Sequence, residues 1–269
     1  MISLAALSVA YADGRRALDD LDLSIAPGER VALIGPSGAG KTTLLRVIGA
    51  SLRPTTGAVR LDGVDPWSLS GRQLKGLRAR IGKMHQAPPI PPRQRVITAV
   101  LAGRLGQWPL WRAVASLVYP LDIAGARAVL EPLGLAERLF DRCDQLSGGQ
   151  LQRVALARLF YQQPEIVLAD EPVSALDPAL ARSVAVALNE DAKRRGVTLI
   201  ASLHAVDLAL SEFSRVIGLR EGRIVFDRPA AQVLTADIDA LYAGAPHAGA
   251  HDTPDQRVPS ARPRLTRCA

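Results

Sequence analysis

Polar and apolar positions alternate from the first residues. Ile2, Leu4 and Ala6 fall on one face of an extended chain, the period-2 pattern of a strand. The turn Asp13-Gly14 separates this run from a second strand-like run that ends at Ile25. After the turn Pro27-Gly28-Glu29, the apolar run Val31-Ala32-Leu33-Ile34 predicts a short buried strand, and Leu44-Leu45-Arg46-Val47-Ile48 predicts a helix. Pro54-Thr55-Thr56-Gly57 breaks the pattern, and Ala58 to Gly63 reads as a strand and turn. Ser70 to Arg80 predicts a basic amphipathic helix with a solvated face, and Ile81 to His85 a short strand that ends at Gln86.

Ala87-Pro88-Pro89-Ile90-Pro91-Pro92 is too rich in proline for a helix or an inner strand and marks a boundary. Thr98 to Leu105 and Ala124 to Phe140 read as helical, with Trp108, Pro109 and Trp111 between them. Residues 87–160 therefore predict a mainly helical insertion. Strands return at Ile166 to Ala169, Val197 to Leu203 and Val216 to Leu219, with helices in the gaps. That alternation predicts an α/β fold with a largely parallel sheet and helices on its faces. From Gly244 the composition turns to Ala, Pro, Gly and Arg, so one domain over 1–243 and a disordered, weakly basic tail over 244–269 are expected. No internal repeat is visible.

Composition narrows this picture little. A hydrophobic content of 48% supports a real core in 269 residues, and 4% aromatics makes that core aliphatic. The formal net charge of +7 suits an anionic partner without choosing between nucleic acid, membrane and ligand. Cys143 and Cys268 stand far apart and form neither a disulfide framework nor a metal pattern, which fits a reducing compartment. No run of eighteen apolar residues exists. The apolar start ends in Ala10-Tyr11-Ala12, which imitates a signal-peptidase site, but no Lys or Arg precedes it, and a first strand is the better reading.

The chemistry begins at Gly35-Pro36-Ser37-Gly38-Ala39-Gly40-Lys41-Thr42-Thr43. Strand, glycine-rich turn, Lys-Thr and helix form the context of a phosphate-binding loop. Backbone N–H groups can cradle an anion there, and the helix adds its positive end. Lys41 is expected at the β- and γ-phosphates, and the Thr42 hydroxyl at Mg²⁺. Leu146-Ser147-Gly148-Gly149-Gln150 precedes a helix over Leu151 to Tyr161 and reads either as a second anion-binding tip or as a plain Ser147 cap. Ile166 to Ala169 ends in Asp170-Glu171, two carboxylates at the carboxyl edge of the sheet, where α/β sites lie. Asp170 is read as the Mg²⁺ holder and Glu171 as the general base, against two solvated acids. Ser174-Ala175-Leu176-Asp177-Pro178 reads fully as a cap and turn before a helix. Tyr11 is an ordinary strand-end aromatic or a face for a purine ring. His204, after the strand, is structural or a γ-phosphate sensor.

Taken in order and spacing, these stretches resemble the ATP-binding-cassette ATPase family over about residues 1–242. The resemblance implies a P-loop NTPase core with an N-terminal antiparallel β part and a helical insertion, with ATP and Mg²⁺ as cofactors. It makes Tyr11 the adenine-stacking aromatic, and Gln86 the residue that touches Mg²⁺ and couples the insertion to the nucleotide. It implies a head-to-tail homodimer in which Ser147, Gly148, Gly149 and Gln150 of one subunit close over ATP on the other, with Asp177 in communication across the pair. Glu171 and His204 then organise the attacking water. Val100 to Gly106 with Trp108, Asp144-Gln145, Leu168 to Pro172 and Ser202 to Ala209 look like importers of phosphonates. The proline-dense Ala87 to Pro92 departs from those relatives. The resemblance thus implies an ATPase subunit on the cytoplasmic face of the inner membrane, coupled to a permease and through it to a periplasmic binding protein. The other readings are an importer or exporter ATPase for phosphate, an amino acid or a metal chelate, a soluble cassette acting on nucleic acid, and a regulatory cassette without turnover. One cassette without heptads or Cys clusters argues against nucleic acid, and the pair Glu171 and His204 against a silent cassette.

Overall fold

The computed structural model describes residues 1–85, 87–174 and 176–243. Gln86, Ala175 and the expected tail over 244–269 lie outside the described residues. Strands β1 (Ile2–Ala10) and β2 (Arg16–Ile25) pair antiparallel around the expected turn, where Gly14 takes φ 81°. Strand β3 (Arg30–Ile34) runs into the glycine loop and helix α1 (Lys41–Ile48). Strand β4 (Thr56–Leu61) returns to the other edge of β1 and completes a three-stranded antiparallel sheet, β2-β1-β4. Helix α2 (Gly71–Ala79) starts in a capping box between Ser70 and Gln73, buries no residue and leads to β5 (Ile81–Met84).

The helical segment holds α3 (Val96–Leu101), α4 (Leu110–Val118), α5 (Ile123–Leu130) and α6 (Gly148–Gln162). The helix expected over 124–140 stops at Leu130. Pro132 has no N–H to extend it, and Gly134 turns the chain at φ 67° into short 3₁₀ turns. Helix α4 goes beyond the sequence reading, which left Trp108 to Trp111 as a connection. Strand β6 (Ile166–Asp170) follows, then α7 (Pro178–Arg195), β7 (Thr198–Ser202), α8 (Val206–Glu212) and β8 (Arg215–Arg220). Strand β9 (Arg223–Pro229) and helix α9 (Thr235–Tyr242) were not legible as elements in the sequence. The second sheet runs β5-β6-β7-β3-β8-β9, with only β9 antiparallel to its neighbour. The expected α/β fold with a mainly parallel sheet is therefore present.

Three aliphatic cores hold these layers. Leu7, Leu18, Ile25, Leu33, Leu44 and Ile48 fill the space between the antiparallel sheet, the parallel sheet and α1. Val184, Leu188, Leu199, Leu203 and Val216 cover the opposite face of the parallel sheet under α7 and α8. Val96, Val100, Leu130, Leu139 and Tyr161 make a separate core inside the helical segment. Helix α6 belongs to two of these cores: Leu156 and Leu159 face the sheet, while Val154, Ala157 and Tyr161 face the helical segment. Among the described residues no helix is long and apolar enough to cross a membrane. The architecture places the carboxyl ends of β3, β6 and β7 side by side, and the candidate site stands there.

Candidate nucleotide site at the glycine loop

The loop after β3 is built for close backbone approach. Gly40 caps α1 at φ 105°, and a Cβ there would stand 2.5 Å from the Ala17 carbonyl oxygen, so no other residue fits. Gly38 also needs a positive φ, 79°, but the place of its missing Cβ is open. Helix α1 has no side-chain cap, so the amides of its first turn are left for an outside acceptor. Lys41 is buried beneath the loop, and its Nζ donates to Gly35 O at 2.6 Å and Pro36 O at 3.1 Å. Burial pulls this ammonium below its ordinary pKa, while the Glu171 and Asp170 charges oppose the shift. Tyr11, Arg15, Arg16, Ser37, Lys41, Thr42 and Glu171 share an open cleft of about 200 Å³ with the loop. Open amides beside three basic side chains fit a polyphosphate.

A hydrogen-bonded line runs from this loop to the strand ends. Thr42 Oγ1 donates to Asp170 Oδ1 at 3.0 Å. Ser202 Oγ donates to the same oxygen at 2.8 Å and accepts the Glu171 N–H at 2.9 Å. His204 Nε2 bonds Glu171 Oε1 at 2.6 Å. Glu171 adopts φ 48°, a left-handed backbone unusual for a side chain with a Cβ. A hydroxyl and a carboxylate that converge next to a phosphate cradle are hard oxygen donors. They suit Mg²⁺, which keeps waters and takes its other ligands from phosphates.

Tyr11 lies at the same cleft, with its OH 3.0 Å from Thr43 Oγ1 and the Arg15 guanidinium 5.2 Å over its ring. The structure thus brings Tyr11, Gly38 to Thr43, Asp170, Glu171 and His204 into one neighbourhood. It does not bring Ser147, Gly148, Gly149, Gln150 or Asp177 there; none of them lines the cleft. Ser147 Oγ accepts the Gln150 N–H at 3.3 Å, and Gln150 Oε1 accepts the Ser147 N–H at 2.9 Å, which is the cap anticipated as one alternative. Gly149 packs so closely on α7 that a Cβ would meet Leu180 at 2.6 Å. Asp177 Oδ1 caps α7 through Leu180 N at 3.0 Å. Gln86 is outside the described residues.

Three contacts escaped the sequence reading. Ser202 is fully buried and joins both acidic residues; its signal is a hydroxyl at the carboxyl end of an apolar strand, two positions before His204. Gln152, also buried, donates to Pro172 O at 2.6 Å and ties α6 to the turn after β6. Arg15 covers the Tyr11 ring, and nothing in its surface-turn setting announces that contact.

The model of the family described as ABC transporter matches residues 18–174. The chain is 64% identical over 242 residues to phosphonates import ATP-binding protein PhnC 2 of Pseudomonas aeruginosa, covering 90% of this chain and 91% of that one. It is 59% identical over 240 residues to phosphonates import ATP-binding protein PhnC 1 of Cupriavidus necator, covering 89% and 86%. Among solved structures it is similar to a dimeric bacterial ABC transporter cassette, with 29% identity, TM-score 0.74, and 86% and 99% of the two chains covered. The same cassette in a post-hydrolysis state bound to ADP and Pi superposes with 30% identity, TM-score 0.71 and the same coverage. The chain belongs to the ABC transporter family, as one of its ATPase cassettes.

Proposed function

We propose that this chain is the ATP-hydrolysing subunit of an importer of phosphonates, working as a homodimer on the cytoplasmic face of the inner membrane. The observation that carries the cargo is the likeness to relatives named for phosphonate import, 64% and 63% identical over 242 residues. A strain that lacks its own phosphonate-import ATPase should grow on a phosphonate as sole phosphorus source when given this chain. Growth on phosphate alone, with none on phosphonate despite expression, would remove the cargo reading.

In this reading residues 1–243 form the cassette and 87–160 its helical part. The loop from Gly35 to Thr43 holds the triphosphate, with Lys41 as counter-charge. Thr42 and Asp170 hold Mg²⁺, which supplies charge neutralisation on the phosphates. Glu171 takes the proton of the attacking water, and His204 steadies its carboxylate through the 2.6 Å bond. Ser147 to Gln150 serve the nucleotide on the second copy, with Asp177 at the pair's interface; their absence from the lining of their own chain's cleft supports that division. Tyr11 stacks on adenine. Tyr11→Ala should then weaken ATP binding by about 1–3 kcal/mol, the range of base–aromatic stacking, while Tyr11→Phe stays near the parent. Equal affinity of Tyr11→Ala and the parent in an equilibrium titration would end the stacking role.

A groove of about 670 Å³ between α2, β5 and α6 supports a docking place for the permease. Lys75, Arg78, Lys83 and Arg158 line it. Burial pulls Lys83 and Arg158 below their ordinary pKa values, with the Arg78 and Arg46 charges adding to the effect on Lys83. A cytoplasmic element of the permease suits this groove, and a periplasmic binding protein delivers the cargo to the permease's other side.

A further inference from the structure

We propose that Ser202 is a positioning residue for ATP hydrolysis, through which a single hydroxyl sets both the metal-side carboxylate and the backbone of the general base. The geometry is reciprocal. Ser202 and Asp170 are register partners in the parallel pair of β7 and β6. The hydroxyl has one proton, and it goes to Asp170 Oδ1 at 2.8 Å. Its oxygen accepts the N–H of Glu171 at 2.9 Å. Ser202 is 0% exposed, so water cannot replace either bond.

Each half of that pairing answers a local need. Asp170 Oδ1 takes one other side-chain bond, from Thr42 Oγ1 at 3.0 Å. The Thr42 side chain is exposed to the cleft and is free to turn toward a ligand, whereas the Ser202 hydroxyl is locked inside the sheet. The orientation of Asp170 therefore rests on Ser202 whenever Thr42 is otherwise engaged. Glu171 sits at φ 48°, a backbone state that persists only where its surroundings hold it. Ser202 Oγ holds it from the strand side, and the buried Gln152 amide holds the next residue from the α6 side through Pro172 O at 2.6 Å. An aliphatic residue at 202 would leave a buried N–H without a partner and free the carboxylate to rotate.

The inference rests on the roles given to Asp170 and Glu171 above, and its test separates the two. The first readout is the Mg²⁺ concentration that half-saturates the rise in melting temperature with a non-hydrolysable ATP analogue; it needs no turnover. The second is kcat at saturating Mg²⁺ and ATP. Ser202→Ala and Ser202→Cys should both raise half-saturating Mg²⁺ by roughly 10-fold, the scale of one lost bond to a charged group. Both should lower kcat by roughly 10- to 100-fold through misplacement of Glu171, while KM for ATP holds within about twofold. Ser202→Thr, which keeps the hydroxyl, should recover most of both. The cysteine keeps the buried volume, so it serves if the alanine variant does not fold. A folded Ala or Cys variant with parental Mg²⁺ half-saturation would overturn the proposal, as would a threonine variant no better than alanine. An inactive parent protein would instead strike the assignment of Asp170 and Glu171, and would show in the parent alone.

Discussion

Glu171→Gln should bind ATP as the parent does and lose roughly 10²- to 10⁴-fold in turnover, the usual weight of a general base. The substitution keeps the size of the side chain and its bond to His204, since an amide oxygen can accept where Oε1 does now. It also leaves the Glu171 N–H on Ser202, so the φ 48° turn is retained. What disappears is the capacity to take a proton. ATP then stays intact on the protein, and the closed pair proposed above, held by the γ-phosphate, should accumulate. Steady-state ATPase measurement at saturating ATP together with size analysis in ATP checks both halves. Turnover within a few-fold of the parent would remove Glu171 from the chemistry.

Lys41→Ala should abolish tight nucleotide binding. The side chain is buried, and its Nζ lies against two carbonyls of the loop that is to receive the phosphates. Truncating one partner of a buried charged pair costs about 2–5 kcal/mol, or upward of roughly thirtyfold in Kd. The loss has two sources: the triphosphate lacks its counter-ion, and the Gly35 and Pro36 carbonyls lack their donor. Titration with a fluorescent ATP analogue reads the affinity, and a melting curve without nucleotide reads the loop. An unchanged Kd would take Lys41 out of the site.

Local patterns in the chain carried the fold a long way. Alternation marks the first strand at Ile2 and Leu4, but a bulge with Ala6 at φ 45° leaves Ala6 exposed and puts Leu7 inside instead. The apolar runs at Val31, Ile166 and Val197 mark strands that are largely buried. Strand β9 was hidden because Arg223, Asp227 and Arg228 make it read as polar, yet it is an edge strand and needs only one apolar neighbour face. The helix expected over 124–140 forms as far as Leu130 and is ended by Pro132 and Gly134, local breakers that the apolar periodicity overrode. The glycine loop, Asp170-Glu171 and His204 stood out because each follows an apolar strand run, and the fold sets the ends of those strands side by side. Ser202 was not, because its role depends on which strand lies beside β6, and pairing order is not written in any short stretch of sequence.

Helix α6 gives the molecule a rigid shaft. Its fifteen residues span roughly 22 Å at 1.5 Å per residue. One flank is clamped in the sheet core, the other in the helical segment, and Tyr161 anchors its far end to Asp122 at 2.8 Å. The tip that carries Ser147 and the turn that carries Pro172 are thus connected by one stiff piece, with Gln152 as the pin. A push delivered at the serine end has little room to dissipate before it reaches the turn that begins at Glu171.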